Sequence, residues 1–264
     1  MSSNPQAAVQ PTGPDETIVL REKFVPNGRA VPIGNGWTWI EAAWSIFRRA
    51  AGLWIGMTLV LALIYLLLLL WALYGPLGSV ALIAAFLLLP IYAAGLMVVS
   101  RAIDQGGDPR FNQLFVGFRH RLWALLTVGI VYLVAKLVIV AAVFGALGVD
   151  PAAVDMNAPP EVLLAVAARL SIALLLALAL ILPVVMAIWF APALLAFQEL
   201  GPLQAMKQSF LGCLKNVMPF LLYSVILLVA IAVASVPGLL GWLILGPLLA
   251  ASIYTAYRDI YFTE

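Results

Sequence analysis

Charge is the first thing this sequence lacks. Only 10% of its 264 residues are Asp, Glu, Lys or Arg, 64% are apolar, and mean hydropathy is +1.08. Soluble domains run near 25% charged and 45–50% apolar, so an ordinary water-soluble globule is excluded. Cysteine is nearly absent too: Cys213 stands alone, which rules out an internal disulfide and any CxxC motif. Histidine occurs once, as His120, so neither a histidine metal cluster nor bis-histidine haem ligation is available. The sequence holds no GxxxxGK[ST], GxGxxG or HExxH. The expectation is therefore no cofactor, no metal and no enzymatic chemistry. A net charge of +2, without a basic run, gives no footprint for nucleic acid either.

Long apolar runs occupy the space left by these absences. They predict membrane spans at about 53–73, 77–100, 122–146, 170–197, 217–236 and 239–257. Each has about the 20 residues a helix needs to cross a hydrocarbon core of ~30 Å. The connections after the first, third and fifth, "YGPLGS", "GALGVDPAAVDMNAPPE" and "SVPGLLG", contain no Lys or Arg. The opposite side carries all of the 14 basic residues except Lys136 and Arg169. By the positive-inside rule both termini are expected in the cytoplasm. Residues 1–33 are rich in Pro, Gly and polar side chains and read as a disordered cytoplasmic tail, with "TIVL" as its docking element. No basic stretch followed by an apolar core opens the chain, so a cleaved signal peptide is not expected.

Three segments that precede the odd spans align: "AWSIFRRAAGLW", "LFVGFRHRLWAL" and "SFLGCLKNVMPF". Trp44, Phe115 and Phe210 share one column, and Phe47, Phe118 and Cys213 the next. Arg49, His120 and Lys215 form a basic column, and Ala51, Leu122 and Val217 follow it. Steps of 4, 3 and 4 are the spacing of one helical face. Asp108-Pro109 and Gly201-Pro202 supply start signals for two of the three. The even spans echo one another as well, with Pro90 eleven residues before Arg101 and Pro247 eleven before Arg258. The expected fold is all-α. It is a single six-span domain over 34–264, built from three parallel hairpin repeats (34–107, 108–200 and 201–264), each preceded by an amphipathic in-plane cytoplasmic helix. Trp37, Trp44, Arg48, Arg49, Phe115, Phe118, Arg119, Arg121, Phe210 and Lys215 would anchor those helices among lipid headgroups, aromatic rings and cations both being favoured there. The competing reading is a span that starts early with an aromatic belt.

Few residues are placed for chemistry. Lys136 lies about 22 Å up the third span from Arg121. It either snorkels toward Asp150, Asp155 or Glu161, or faces a cavity and contacts an anionic headgroup or solute. Arg169 falls at the outer interface. His120 reads as an interfacial cation and Cys213 as packing. Pro90, Pro183, Pro192 and Pro247 read as structural bends in the even spans. Arg101 with Asp104, and Arg258 with Asp259, sit at inner span ends. There they are expected to anchor the interface, with pairing between repeats as the alternative.

The stretches "RAVPIGNGWTWIEAAWSIFRRAAGLWIG", "AGLMVVSRAIDQG", "FVGFRHRLWALL", "AMKQSFLGCLKNVMPF" and "YTAYRDIY" resemble an uncharacterised family of proteobacterial inner-membrane proteins over residues 29–262. Its marks are a Gly-Trp-x-Trp-Ile opening and a Tyr-Arg-Asp end. The resemblance implies a bacterial inner-membrane location and brings no activity with it. The expectation is a non-enzymatic module that organises membrane lipids, notably of an anionic inner leaflet, or partner membrane proteins. The alternative is a small-solute or lipid transporter with a cavity between repeats.

Overall fold

The computed structural model describes residues 23–150, 158–236 and 238–263. Its first unit runs through α1 (Asn35–Arg49), α2 (Ala51–Tyr74) and α3 (Gly78–Asp104). A 3-10 turn (Phe111–Phe115) then leads through α4 (Val116–Arg119) into α5 (Leu122–Ala146), α6 (Pro160–Trp189) and α7 (Ala191–Phe197). The last stretch holds α8 (Pro202–Lys215), α9 (Val217–Ser235) and α10 (Trp242–Tyr261). Two short strands, β1 (Lys23–Phe24) and β2 (Phe262–Thr263), pair antiparallel and join the two ends.

Among the described residues five helical segments are long and apolar enough to cross a membrane: α2, α3, α5, α6 together with α7, and α9. This is the architecture of a multi-pass membrane protein. Helix α2 illustrates why. Its 24 residues span about 36 Å, and only Trp54 and Met57 are buried by protein. A helix that is apolar all round, with so little of it covered, is built for lipid.

Helix α10, over the expected sixth span, is not among these five. Its second half, "SIYTAYRDIY", is aromatic and polar, and protein covers it: Ser252, Tyr254, Ala256, Tyr257, Ile260 and Tyr261 are all buried. A helix enclosed by neighbours needs small and hydrogen-bonding residues for close approach, not lipid-facing leucines. The fourth span differs in a second way. Helix begins at Pro160, ten residues earlier than expected, and breaks at Phe190 ahead of Pro192. Proline there has no N–H and its ring clashes with the preceding turn, so α7 starts afresh.

Ala51, Leu122 and Val217, one column of the sequence alignment, are each the first residue of a long helix. The short elements ahead of them pack in a recurring way. The 3-10 turn and α4 lie on α3, α8 lies on α6, and α1 lies on α10 and α9. A β-carbon on Gly36 would collide with the Pro219 carbonyl, and one on Gly117 with that of Ile91. On α8 the close approach is polar: Ser209 accepts from Phe190 N at 2.9 Å and donates to Met186 O at 2.7 Å.

The expected apolar face is buried in part, at Phe47 and Cys213, and the centre of the buried face lies one residue earlier. Ala43, Leu114 and Ser209 are each 0% exposed, whereas their neighbour Trp44 is 41% exposed. The second short element is also not a continuous helix. Asp108-Pro109 does not open it, and Arg110 precedes the 3-10 turn, while Gly201-Pro202 does open α8 as expected.

Residues 23–33, expected as part of the tail, are bound to the bundle. Asn216 accepts from Val31 N at 2.8 Å and donates to Arg29 O at 2.8 Å, and Lys215 Nζ donates to Gly28 O at 2.9 Å. These backbone groups have partners to satisfy them, which the polar composition of the stretch did not reveal. Residues 1–22, with "TIVL", lie outside the described residues.

Candidate functional site

The Gly-Trp-x-Trp-Ile opening lies on α1 and the Tyr-Arg-Asp end on α10, and the fold brings them together. The indole Nε1 of Trp39 donates to Asp259 Oδ2 at 2.8 Å, and Asn35 Nδ2 donates to the same oxygen at 2.7 Å. Arg29 grips the other side, with Nη2 3.0 Å from Asp259 Oδ1 and Nε 2.8 Å from the Asp259 carbonyl oxygen. Thr255 Oγ1 donates to Trp39 O at 2.8 Å. One turn deeper, Asp104 at the end of α3 pairs with Arg258 and accepts from Tyr254 Oη at 3.0 Å.

These groups border an open groove of 630 Å³. Both carboxylates already hold strong donors, so the site latches Arg29 and α1 to α10, and α10 to α3. Neither Arg/Asp pair is made within its own sequence neighbourhood: Asp259 is held by Arg29, Asn35 and Trp39, and Asp104 by Arg258. Arg258 reaches across to α3, and Arg101 lies 4.9 Å from the centre of the Phe197 ring on α7.

The expected lipid-anchoring residues divide into two groups. Trp37, at 56% exposure, and Trp44 form an outward stripe with Glu41 and Arg48, opposite the buried Trp39, Ala43, Ile46 and Phe47; Arg49 is also exposed. Trp44 stacks on Phe47 at 5.5 Å. Phe115 and Phe118 pack against Tyr92 at 6.1 and 5.6 Å, and Phe118 keeps an exposed edge. Phe210 is half-buried.

The second group spends its donors on protein. Arg121 Nη2 donates to Gln198 O and Leu200 O, each at 3.0 Å, holding the start of α5 to the end of α7. Lys215 serves Gly28, as above. Gln198 caps the C-terminus of α7, where carbonyls lack intrahelical donors, and the Arg121 cation both satisfies one and meets the negative end of the dipole.

Arg119 and His120 line an open cavity of 310 Å³ with Arg110, Asn112, Gln113 and Asp108. Lys136 lies elsewhere, its ammonium 4.7 Å from the centre of the Phe86 ring between α3 and α5. It lines neither this cavity nor the groove at the latch. Asp155, one of its expected partners, is outside the described residues.

Among the described residues no group of three or more His, Cys, Asp or Glu is placed to hold a metal ion. Cys213 is 4% exposed, and burial pushes its thiol up to about 12. A thiol held neutral is a poor nucleophile. The sequence reasoning missed the latch because it set Asp259 beside Arg258 and gave Asn35 and Trp39 no role. Their signal was the pair of motifs at opposite ends of the chain. Comparison with protein-family models, with curated proteins and with solved structures finds no match for this chain, so its function is argued from this geometry alone.

Proposed function

We propose that the protein is a non-enzymatic, multi-pass membrane module that gathers anionic phospholipid headgroups along one face. In this reading α10 is a sixth span. The chain then forms three hairpin units related by an axis along the membrane normal, with both termini in the cytoplasm of a bacterial inner membrane. Support comes from the cyclic packing, in which the short element of each unit lies on the last long helix of the unit before it, α1 on α10 included. Parallel repeats about such an axis put all short elements at one membrane face.

One observation carries the lipid reading. Arg110, Arg119 and His120 line a single open cavity with Asn112 and Gln113, where the one carboxylate, Asp108, is bonded to Arg110 at 3.0 Å and leaves an excess of basic side chains. Arginine pairs with phosphate in a charge-assisted, often bidentate manner, and the imidazole adds a ring N–H donor. Each basic residue near an anionic leaflet contributes on the order of 1 kcal/mol. The exposed stripe of Trp37, Trp44 and Arg48 extends the same chemistry to the first unit.

The test is native mass spectrometry of the full chain from nanodiscs of mixed phosphatidylglycerol and phosphatidylethanolamine. Phosphatidylglycerol should be enriched on the wild-type protein, and Arg110→Ala with Arg119→Ala should lower that enrichment about tenfold. Equal retention of both lipids by the wild-type protein would overturn the proposal.

A further inference from the structure

The three places where one unit meets the next differ. Helix α3 packs along α5, and α10 packs along α2, but α6 and α9 do not pack along each other. The register set by Ala51, Leu122 and Val217 locates the difference. Seven residues on stand Thr58, Gly129 and Ser224. A β-carbon on Gly129 would lie 3.3 Å from the side chains of both Leu87 and Pro90 on α3. A β-carbon on Gly246 of α10 would lie 3.6 Å from Thr58. Ser224 is exposed and borders an apolar cavity of 240 Å³.

Leu182 and Trp189 of α6, Phe220 and Leu221 of α9, and Cys213 of α8 line the same cavity. Cys213 stands in the column where the other two units carry Phe47 and Phe118. A thiol thus leaves open a volume that a phenyl ring occupies elsewhere. The mouth is apolar and faces outward, with Leu182 57% and Leu221 54% exposed. Within the lining, the indole Nε1 of Trp189 is buried and has no hydrogen-bond partner among the described residues. A buried donor without an acceptor costs about 1–3 kcal/mol, so a carbonyl brought to it would bind with that advantage.

We infer that this groove takes one acyl chain of a membrane glycerophospholipid, entering sideways from the bilayer, with Trp189 donating to its ester carbonyl. Three observations select that occupant. The lining from Val217 to Leu227 runs about 15 Å along α9, matching one hydrocarbon leaflet, which is half of a ~30 Å core. The cavity is too thin for a helix of a partner protein, which at 10–12 Å across would fill roughly 1,200 Å³ over that length. The polar donor lies at the end of α6 next to α7 and α8, the end where the short elements gather, so headgroup and ester would meet protein at interfacial depth. The inference rests on the membrane reading above and adds the part of the lipid that is held.

The experiment uses the full chain in nanodiscs containing phosphatidylglycerol with a photoactivatable diazirine in its acyl chain. Cross-links should concentrate on residues 182–189 and 217–227, at least fivefold above the α3–α5 face. Cys213→Phe and Ser224→Leu should each reduce them to background. Trp189→Phe should lower retention of the chain three- to tenfold in native mass spectra. Ser224→Leu changes only an exposed position, so it keeps the test decisive if Cys213→Phe does not fold. Uniform labelling of all lipid-facing helices, or labelling untouched by both filling variants, would overturn the inference. So would cross-linking of these two strips to a second copy of the chain. Persistent chain labelling without phosphatidylglycerol enrichment would defeat only the headgroup reading, and the reverse result only the groove.

Discussion

Helix α1 meets α10 through a carboxylate that collects three side chains, whereas α6 faces α9 across a cavity walled by leucine, valine and aromatic rings. The contrast follows from what drives helix association in lipid. Acyl chains are as apolar as leucine, so burying one leucine against another gains little over leaving both in lipid. Association then depends on close approach at small residues, or on hydrogen bonds that lipid cannot replace. The α1–α10 seam has both, and the α3–α5 contact has Gly129. The α6–α9 side has neither, and there lipid competes with protein on equal terms.

Removing the latch should have the largest effect. Asp259 is only 20% exposed, and Asp259→Ala strands Trp39 Nε1, Asn35 and Arg29 together. Losing one member of a buried pair costs about 3–5 kcal/mol, and the 44% exposure of Arg29 lowers that to about 3 kcal/mol. Unfolding in micelles, followed by tryptophan fluorescence, would report it. A loss below about 1 kcal/mol would mean that apolar packing alone closes the ends.

The two junctions themselves provide the next test. Gly129→Leu should cost about 2–3 kcal/mol, because the β-carbon alone already crowds Leu87 and Pro90. Its register partner Ser224→Leu should change stability by no more than about 0.5 kcal/mol. Equal costs would erase the distinction between closed and open sides. Smaller than the Gly129 cost is that of Trp39→Phe, which keeps an aromatic ring, removes one donor from Asp259 and leaves a small void at a 2% exposed site, for about 1–2 kcal/mol. Asp108→Ala is the surface control. Its partner Arg110 is 3.0 Å away, but the two side chains are 75% and 70% exposed, so the loss should stay below about 0.5 kcal/mol.

How far these features were readable in the sequence depends on residue size and separation. Span-length apolar runs registered directly, and the starts of α2, α5 and α9 fell on one alignment column. The buried face of the short elements did not register. It is carried by Ala43, Ser209, Gly117 and Gly212, and small residues give no hydrophobic signal although they permit the closest packing. The latch was hidden by distance, since Trp39 and Asp259 lie 220 residues apart. Helix α10 was read from composition as another span, and its enclosure by α1, α2, α3 and α9 could not be seen without the fold. The groove was prefigured only by one odd column entry, a cysteine where phenylalanine stands twice.

That cysteine gives the smallest and most specific prediction. Burial raises the Cys213 thiol from 9.0 to about 12. An acid whose folded pKa lies above its unfolded value favours the protonated native form. Its contribution to stability is therefore fully present below pH 9 and is lost as pH rises from about 9 toward 12, where the unfolded chain binds fewer protons. Between pH 7 and 8.5, wild-type protein and Cys213→Ala should show parallel stability profiles, offset only by packing. Above pH 9 the wild-type curve should fall more steeply. Native-state alkylation should likewise stay slow up to pH 9 and become fast on unfolding, since the thiolate is the reacting form. Rapid labelling of the folded protein at pH 8 would mean that the thiol is reached from the groove by water. The α6–α9 side would then be a wet cleft, and its contrast with the hydrogen-bonded α1–α10 seam would be one of polarity.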